Sequence, residues 1–117
     1  MVDAARERRA AQNEDMFRQV NERLHLLAVI DGSAAELERF VCECEQTSCS
    51  LLVELTPGEY RSVRAEGRRF LVFPDSAHTR PEFETVIERR ERYWVVEKRG
   101  KVGEEAEYLS DEGPKVL

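Results

Sequence analysis

The sequence predicts an α+β domain: an N-terminal helix followed by a small, mainly antiparallel sheet. The order of the sheet region is β-hairpin, short helix, strand, β-hairpin. Three observations predict it. An uninterrupted run rich in Ala, Arg, Glu and Gln opens the chain. Short β-prone runs follow, separated by Gly, Pro and polar turns. All three cysteines, Cys42, Cys44 and Cys49, fall within eight residues between two of those runs.

A chain of 117 residues fits one domain. With 41% hydrophobic and 36% charged residues, it has a globular composition and a heavily charged surface or charged ends. The net charge of −6 is unevenly spread. Residues 1–60 carry six Lys/Arg against twelve Asp/Glu, 61–101 eleven against seven, and 102–117 one against five. No apolar run approaches the ~18 residues of a membrane-spanning helix. The opening MVDAARERRAAQNED lacks the apolar core of a secretory signal. The expectation is a cytoplasmic protein with no membrane partner and reduced cysteines, which favours metal ligands or redox groups over disulfides.

Residues 3–28 read as a helix without Gly or Pro. Phe17, Val20, Leu24 and Leu27 recur at helical spacing and make one apolar stripe, widened by Met16 and Ala28. The stripe suits packing on its own domain or docking of a partner or second copy. Before Met16 the helix is charged and is expected to be exposed. His25 beside the stripe reads as a boundary residue. Asp31-Gly32-Ser33 breaks the helix. Ser33 to Glu36 has capping-box form and allows a short turn over 34–38.

Arg39–Glu43 and Leu51–Leu55 form the first hairpin, with the cysteines at its tip and Phe40, Cys42 and Cys44 on one face. Thr56-Pro57-Gly58-Glu59 is a second capping box with proline at the first helical position, so a helix runs from Pro57 to about residue 65 and ends at Gly67. Arg69–Phe73 is a strand stopped by Pro74, and the loop to Pro81 carries His78. Thr85–Glu88 and Tyr93–Glu97 make the second hairpin around a charged turn. Three segments follow: a helical arm over 1–30, a small metal-stapled domain over 31–101 and a disordered acidic tail over 102–117.

The expected staple is a Cys3His zinc site made by Cys42, Cys44, Cys49 and His78. Zinc takes four ligands in a tetrahedron, and Cys3His is a standard structural set. A core of this size supplies only ~3–5 kcal/mol, whereas structural zinc contributes ~10–16 kcal/mol of apparent binding energy in finger peptides. The spacing C-x-C-x4-C is not the common C-x2-C knuckle, so free thiols and a redox pair stand as alternatives. Glu43, Glu45, Asp75 and His25 are alternative fourth ligands.

The runs FVCECEQTSC, VELTPGEYRSVRA, RRFLVFPDSAH and VIERRERYWVVEKRG, with Asn13-Glu14, Phe17 and Val20-Asn21-Glu22-Arg23, resemble a family of small proteins from high-GC Gram-positive bacteria. Those proteins share a VCEC-x4-C segment, a loop histidine and a YxVVEK strand. The resemblance covers most of residues 13–100 and implies that Cys42, Cys44, Cys49 and His78 belong together. Their loop often reads Pro-Gly-His, where this chain has the longer Pro74-Asp-Ser-Ala-His78. The resemblance implies no biochemical role.

Phosphate-binding glycine loops, nucleophile elbows and zinc-hydrolase signatures do not occur in the sequence, so no catalytic residues are assigned and an enzyme is not expected. The leading expectation is a protein-interaction or regulatory module that uses the helical arm. A second is nucleic-acid binding through Arg61, Arg64, Arg68, Arg69, Arg89, Arg90 and Arg92. A third is a thiol or zinc redox sensor.

Overall fold

The computed structural model describes residues 4–30, 36–46 and 48–112. The fold is α+β. Helix α1 spans Ala4–Ile30, and strands β1 (Glu38–Val41) and β2 (Leu52–Leu55) form an antiparallel hairpin with Phe40 opposite Val53. Helix α2 (Pro57–Arg64) leads into β3 (Arg69–Val72), then a 3-10 turn at Ser76–His78. Strands β4 (Glu84–Arg89) and β5 (Trp94–Lys98) follow, and α3 (Gly100–Glu112) closes the described chain.

The strands divide into two sheets. The first is β1-β2. The second runs β3-β5-β4, all antiparallel, with an irregularity between Val86 and Glu88 on β4. The chain just past β1 joins the sheets: the Cys42 amide donates to the Leu51 carbonyl at 2.9 Å, and the Glu43 amide donates to the Leu71 carbonyl at 2.9 Å. One apolar cluster spans the junction, with Phe40, Val53 and Leu55 from the first sheet and Leu71 and Val95 from the second. Helix α2 adds Tyr60 and Val63, and the Tyr60 ring stacks on Phe40 at 4.3 Å.

Helix α2 forms where its capping box requires. The Thr56 hydroxyl accepts from the Glu59 amide at 3.1 Å, and the Glu59 carboxylate accepts from the Thr56 amide at 2.8 Å. Both Glu59 oxygens also accept from one arm of the Arg92 guanidinium, Nη2, which holds the carboxyl down at about 2, while Nη1 donates to the Glu54 carbonyl.

Of the two readings of the α1 stripe, packing on its own domain does not hold, because helix α1 buries a different face. Its first half is not exposed throughout: Ala10, Ala11, Glu14, Asp15 and Arg18 pack inward, with Asn21 one turn on. The expected apolar stripe points outward, with Met16, Val20, Leu24 and Leu27 between 42 and 53% exposed and Phe17 half-buried. The reason is that Asp15, Arg18 and Asn21 find hydrogen-bond partners inside and Glu14 pairs with Lys98 through one of its two oxygens. Arg18 donates to Asp15, to the Gly67 carbonyl at 2.7 Å and to the Ala106 carbonyl at 3.0 Å, and lies over the Phe70 ring. Buried polar groups with satisfied bonds cost little, and the two alanines let α3 approach closely.

Two further expectations are corrected. The tail is not disordered through Glu112: Gly100–Glu112 is helical and lies against α1, with Val102, Gly103 and Ala106 buried. Gly100 makes the sharp entry from β5 at φ 58°, a left-handed conformation suited to glycine. The capping turn expected at 34–38 does not extend to Glu38, which opens β1, while Asp31 to Ala35, including Ser33, lie outside the described residues. Residues 113–117 lie outside them too.

Candidate metal centre

Cys42 and Cys44 follow β1, Cys49 precedes β2, and His78 ends the 3-10 turn after β3. The hairpin tip therefore supplies three donors, and the neighbouring sheet supplies the fourth. Local bonds shape each loop. The Cys49 amide donates to the Gln46 carbonyl at 3.0 Å. Asp75 caps the 3-10 turn by accepting from the Ala77 amide at 2.8 Å, and the Gln46 side chain donates to the Ala77 carbonyl at 3.2 Å. The last bond ties the cysteine loop to the histidine loop.

The four ligand atoms all lie within 4.8 Å of one another. His78 Nδ1 is 3.6 Å from Cys42 Sγ and 3.7 Å from Cys49 Sγ. A tetrahedral ion with bonds of ~2.3 Å to sulfur and ~2.0–2.1 Å to nitrogen needs S···N edges of ~3.6 Å. Those two edges match a four-coordinate ion, and the four-atom set as a whole, within 4.8 Å, is compatible with a metal ion. Cys42 and Cys44 are buried; Cys49 and His78 are half-buried. Beneath the site lie Phe70, Val72 and Val96, with Phe73, Val86 and Trp94 at the edge.

The three thiols differ in their electrostatics, and Cys44 is the one whose surroundings favour a thiolate. The Phe73 amide donates to Cys42 Sγ at 3.2 Å, a contact that stabilises a thiolate. Hydrogen bonding with Cys42 is the main influence pulling Cys44 down to about 5, against the effect of burial, with His78 assisting. Cys42 is pushed up, first by that same hydrogen bond and then by burial. Cys49 is pushed up by burial.

The alternative fourth ligands are all engaged elsewhere. Glu45 is shared by Arg80 at 2.7 Å and Arg6 at 3.1 Å. Asp75 is the cap. His25 Nδ1 lies 3.0 Å from Glu38 and its ring packs 4.9 Å from Tyr60. Glu43, between the first two cysteines, turns into the interior.

Glu43 is a residue whose role the sequence did not reveal. Its carboxylate is fully buried and accepts from Arg64 of α2 at 2.6 Å, Asn21 of α1 at 2.7 Å and the Leu71 amide of β3 at 3.0 Å. Asn21 also clasps the β1 edge: its side chain donates to the Val41 carbonyl and accepts from the Val41 amide, both at 2.8 Å. Strand alternation sends Glu43 away from the cysteine face, but no local signal shows that this direction is also buried.

The seven arginines are not a free basic patch. Arg64 pairs with Glu43, Arg68 with Glu107, Arg69 with Glu97, Arg90 with Glu88 and Arg92 with Glu59. Arg89 lies over the Trp94 ring, and Arg61 is exposed without an ion pair among the described residues. They belong to α2, the start of β3 and the β4–β5 turn. Among the described residues, no helix is long and apolar enough to cross a membrane. Comparison with protein-family models, curated proteins and solved structures finds no match.

Proposed function

We propose that this chain is a zinc-stapled protein-interaction module in which Cys42, Cys44, Cys49 and His78 bind one structural zinc ion. The observation that carries the reading is the S···N spacing of 3.6 and 3.7 Å, which matches a tetrahedral edge. Three thiolates and an imidazole are a donor set that suits zinc. Four protein ligands fill the coordination shell and leave no position for substrate, which favours a structural role over a catalytic one. When bound, the ion would hold the hairpin tip to the loop after β3, so two small sheets would act as one unit.

The interaction role is supported by α1. The helix is anchored through its polar face and presents apolar side chains outward. The pairing of five of the seven arginines weighs against phosphate binding, which needs available positive charge. Cobalt titration of the reduced apoprotein tests the metal reading. Intense visible absorption typical of tetrahedral thiolate coordination, weakened in His78→Ala, is expected. Octahedral, weakly absorbing cobalt would contradict it.

A further inference from the structure

The outward face of α1 has a definite chemistry. Met16, Val20, Leu24 and Leu27 follow one another at spacings of four, four and three, which places them on one side of the helix. Arg23 lies three residues after Val20 and four before Leu27, directly beside the stripe. Arg9 lies two turns before Met16 on the same side, and Arg8 sits at its edge. All three arginines are exposed and make no ion pair among the described residues.

The described carboxylates of α1 are directed elsewhere. Glu14 pairs with Lys98, Asp15 with Arg18, and Glu22 accepts from the Tyr60 hydroxyl at 2.5 Å. The face is therefore apolar with an exclusively cationic rim among its described side chains, although the protein as a whole carries −6. The asymmetry follows from the inward packing, which neutralises the acids and leaves the arginines out.

We propose that this face docks an amphipathic helix of a protein partner whose apolar stripe is flanked by Asp or Glu. The proposal rests on the interaction-module reading and names the partner's chemistry. A helix laid along α1 meets the four apolar side chains and the arginine rim without reaching the rest of the acidic surface, since charges are screened beyond ~8 Å at physiological salt. A second copy of α1 offers the same arginines and no described carboxylate on that face to receive them. An anionic bilayer is laterally extended and would also oppose the acidic remainder of the protein. Four partly exposed side chains fall well short of the ~800 Å² per partner buried in a standard stable complex, so the expected association is reversible.

The test uses the full chain, with metal content measured on the same preparation. Three fluorescent helical peptides carry the same leucine stripe, flanked by Glu, Gln or Lys. The Glu-flanked peptide is expected to bind saturably, about tenfold tighter than the Lys-flanked one at low salt, with the advantage shrinking as salt rises. Val20→Asp with Leu24→Asp, both at exposed positions, abolishes binding while circular dichroism stays unchanged. Arg9→Glu with Arg23→Glu reverses the flank preference.

Equal binding of the three peptides, or binding of none, overturns the proposal. So does docking to phosphatidylserine vesicles in place of the peptides, or a dimer that Val20→Asp disperses. Peptide binding by protein that holds no zinc would leave the docking face standing and sink the staple. Zinc-loaded protein that ignores all three peptides would do the reverse.

Discussion

The Glu43 carboxylate meets the Arg64 guanidinium at 2.6 Å, inside the protein and between two candidate metal ligands. This pair joins the cysteine loop to α2, while the other bonds of Glu43 reach α1 and β3. Replacing Glu43 by Ala leaves the Arg64 charge with little water to receive it, since its side chain is only 12% exposed. A loss of ~3–5 kcal/mol is expected, as for other broken buried pairs. Urea unfolding measures it, and the double variant with Arg64→Met should recover part of the loss. Equal instability of the single and double variants would show that the pair is not the cause.

Asn21 serves as an extra strand edge for β1. Its amide bonds the Val41 backbone in both directions and also reaches Glu43. Asn21→Asp replaces a donor by a second carboxylate against Glu43 and should destabilise by ~2–4 kcal/mol, more than Asn21→Ala. Thermal unfolding of the two variants checks the order.

The buried Lys98 bonds both Glu14 and Glu84 and fastens α1 to the second sheet. Burial pushes Glu14 up to about 8, against the pull of Lys98. Burial also lowers Lys98, but the charges of Glu14 and Glu84 outweigh it and raise this group. Between the ordinary Glu value of 4.5 and about 8, the folded chain keeps a proton on Glu14 that the unfolded chain has released. Stability from this site therefore falls as pH rises through that window, by up to ~1.4 kcal/mol per pH unit, and levels off above it. Glu14→Gln should flatten the profile measured by denaturant unfolding; an unchanged slope would refute the assignment.

Helix α3 depends on a close approach at Gly103. A Cβ there would meet the Lys98 carbonyl at 2.8 Å and Arg68 Nη1 at 2.5 Å. The Arg68 side chain can move, but the carbonyl is fixed in the chain. Gly103→Ala is expected to cost ~1–3 kcal/mol, as other overpacking changes do, despite the higher helix propensity of alanine. A stabilised Gly103→Ala variant in calorimetry would contradict the packing described.

How much of this was legible in sequence follows from where each signal resides. The capping box at Thr56 to Glu59 and the β-prone runs at Arg69–Phe73 and Tyr93–Glu97 are local, and the structure places elements there. The cysteine cluster and His78 were legible because few residue types can serve as soft metal donors. The buried face of α1 was not, because Glu14, Arg18 and Asn21 become acceptable inside only through Lys98, Gly67, Ala106, Val41 and Glu43, mostly far along the chain. Helix α3 was hidden by its acidic composition. Val102 and Ala106, four residues apart, were the available sign of its buried side.

The most direct test of the zinc staple is elemental analysis of protein purified without a histidine tag, for the wild type and for Cys44→Ser, with circular dichroism on the same samples. The account predicts one zinc per wild-type chain and loss of both metal and folded signal in the variant. Freshly reduced wild-type protein that is folded and carries no metal would contradict it.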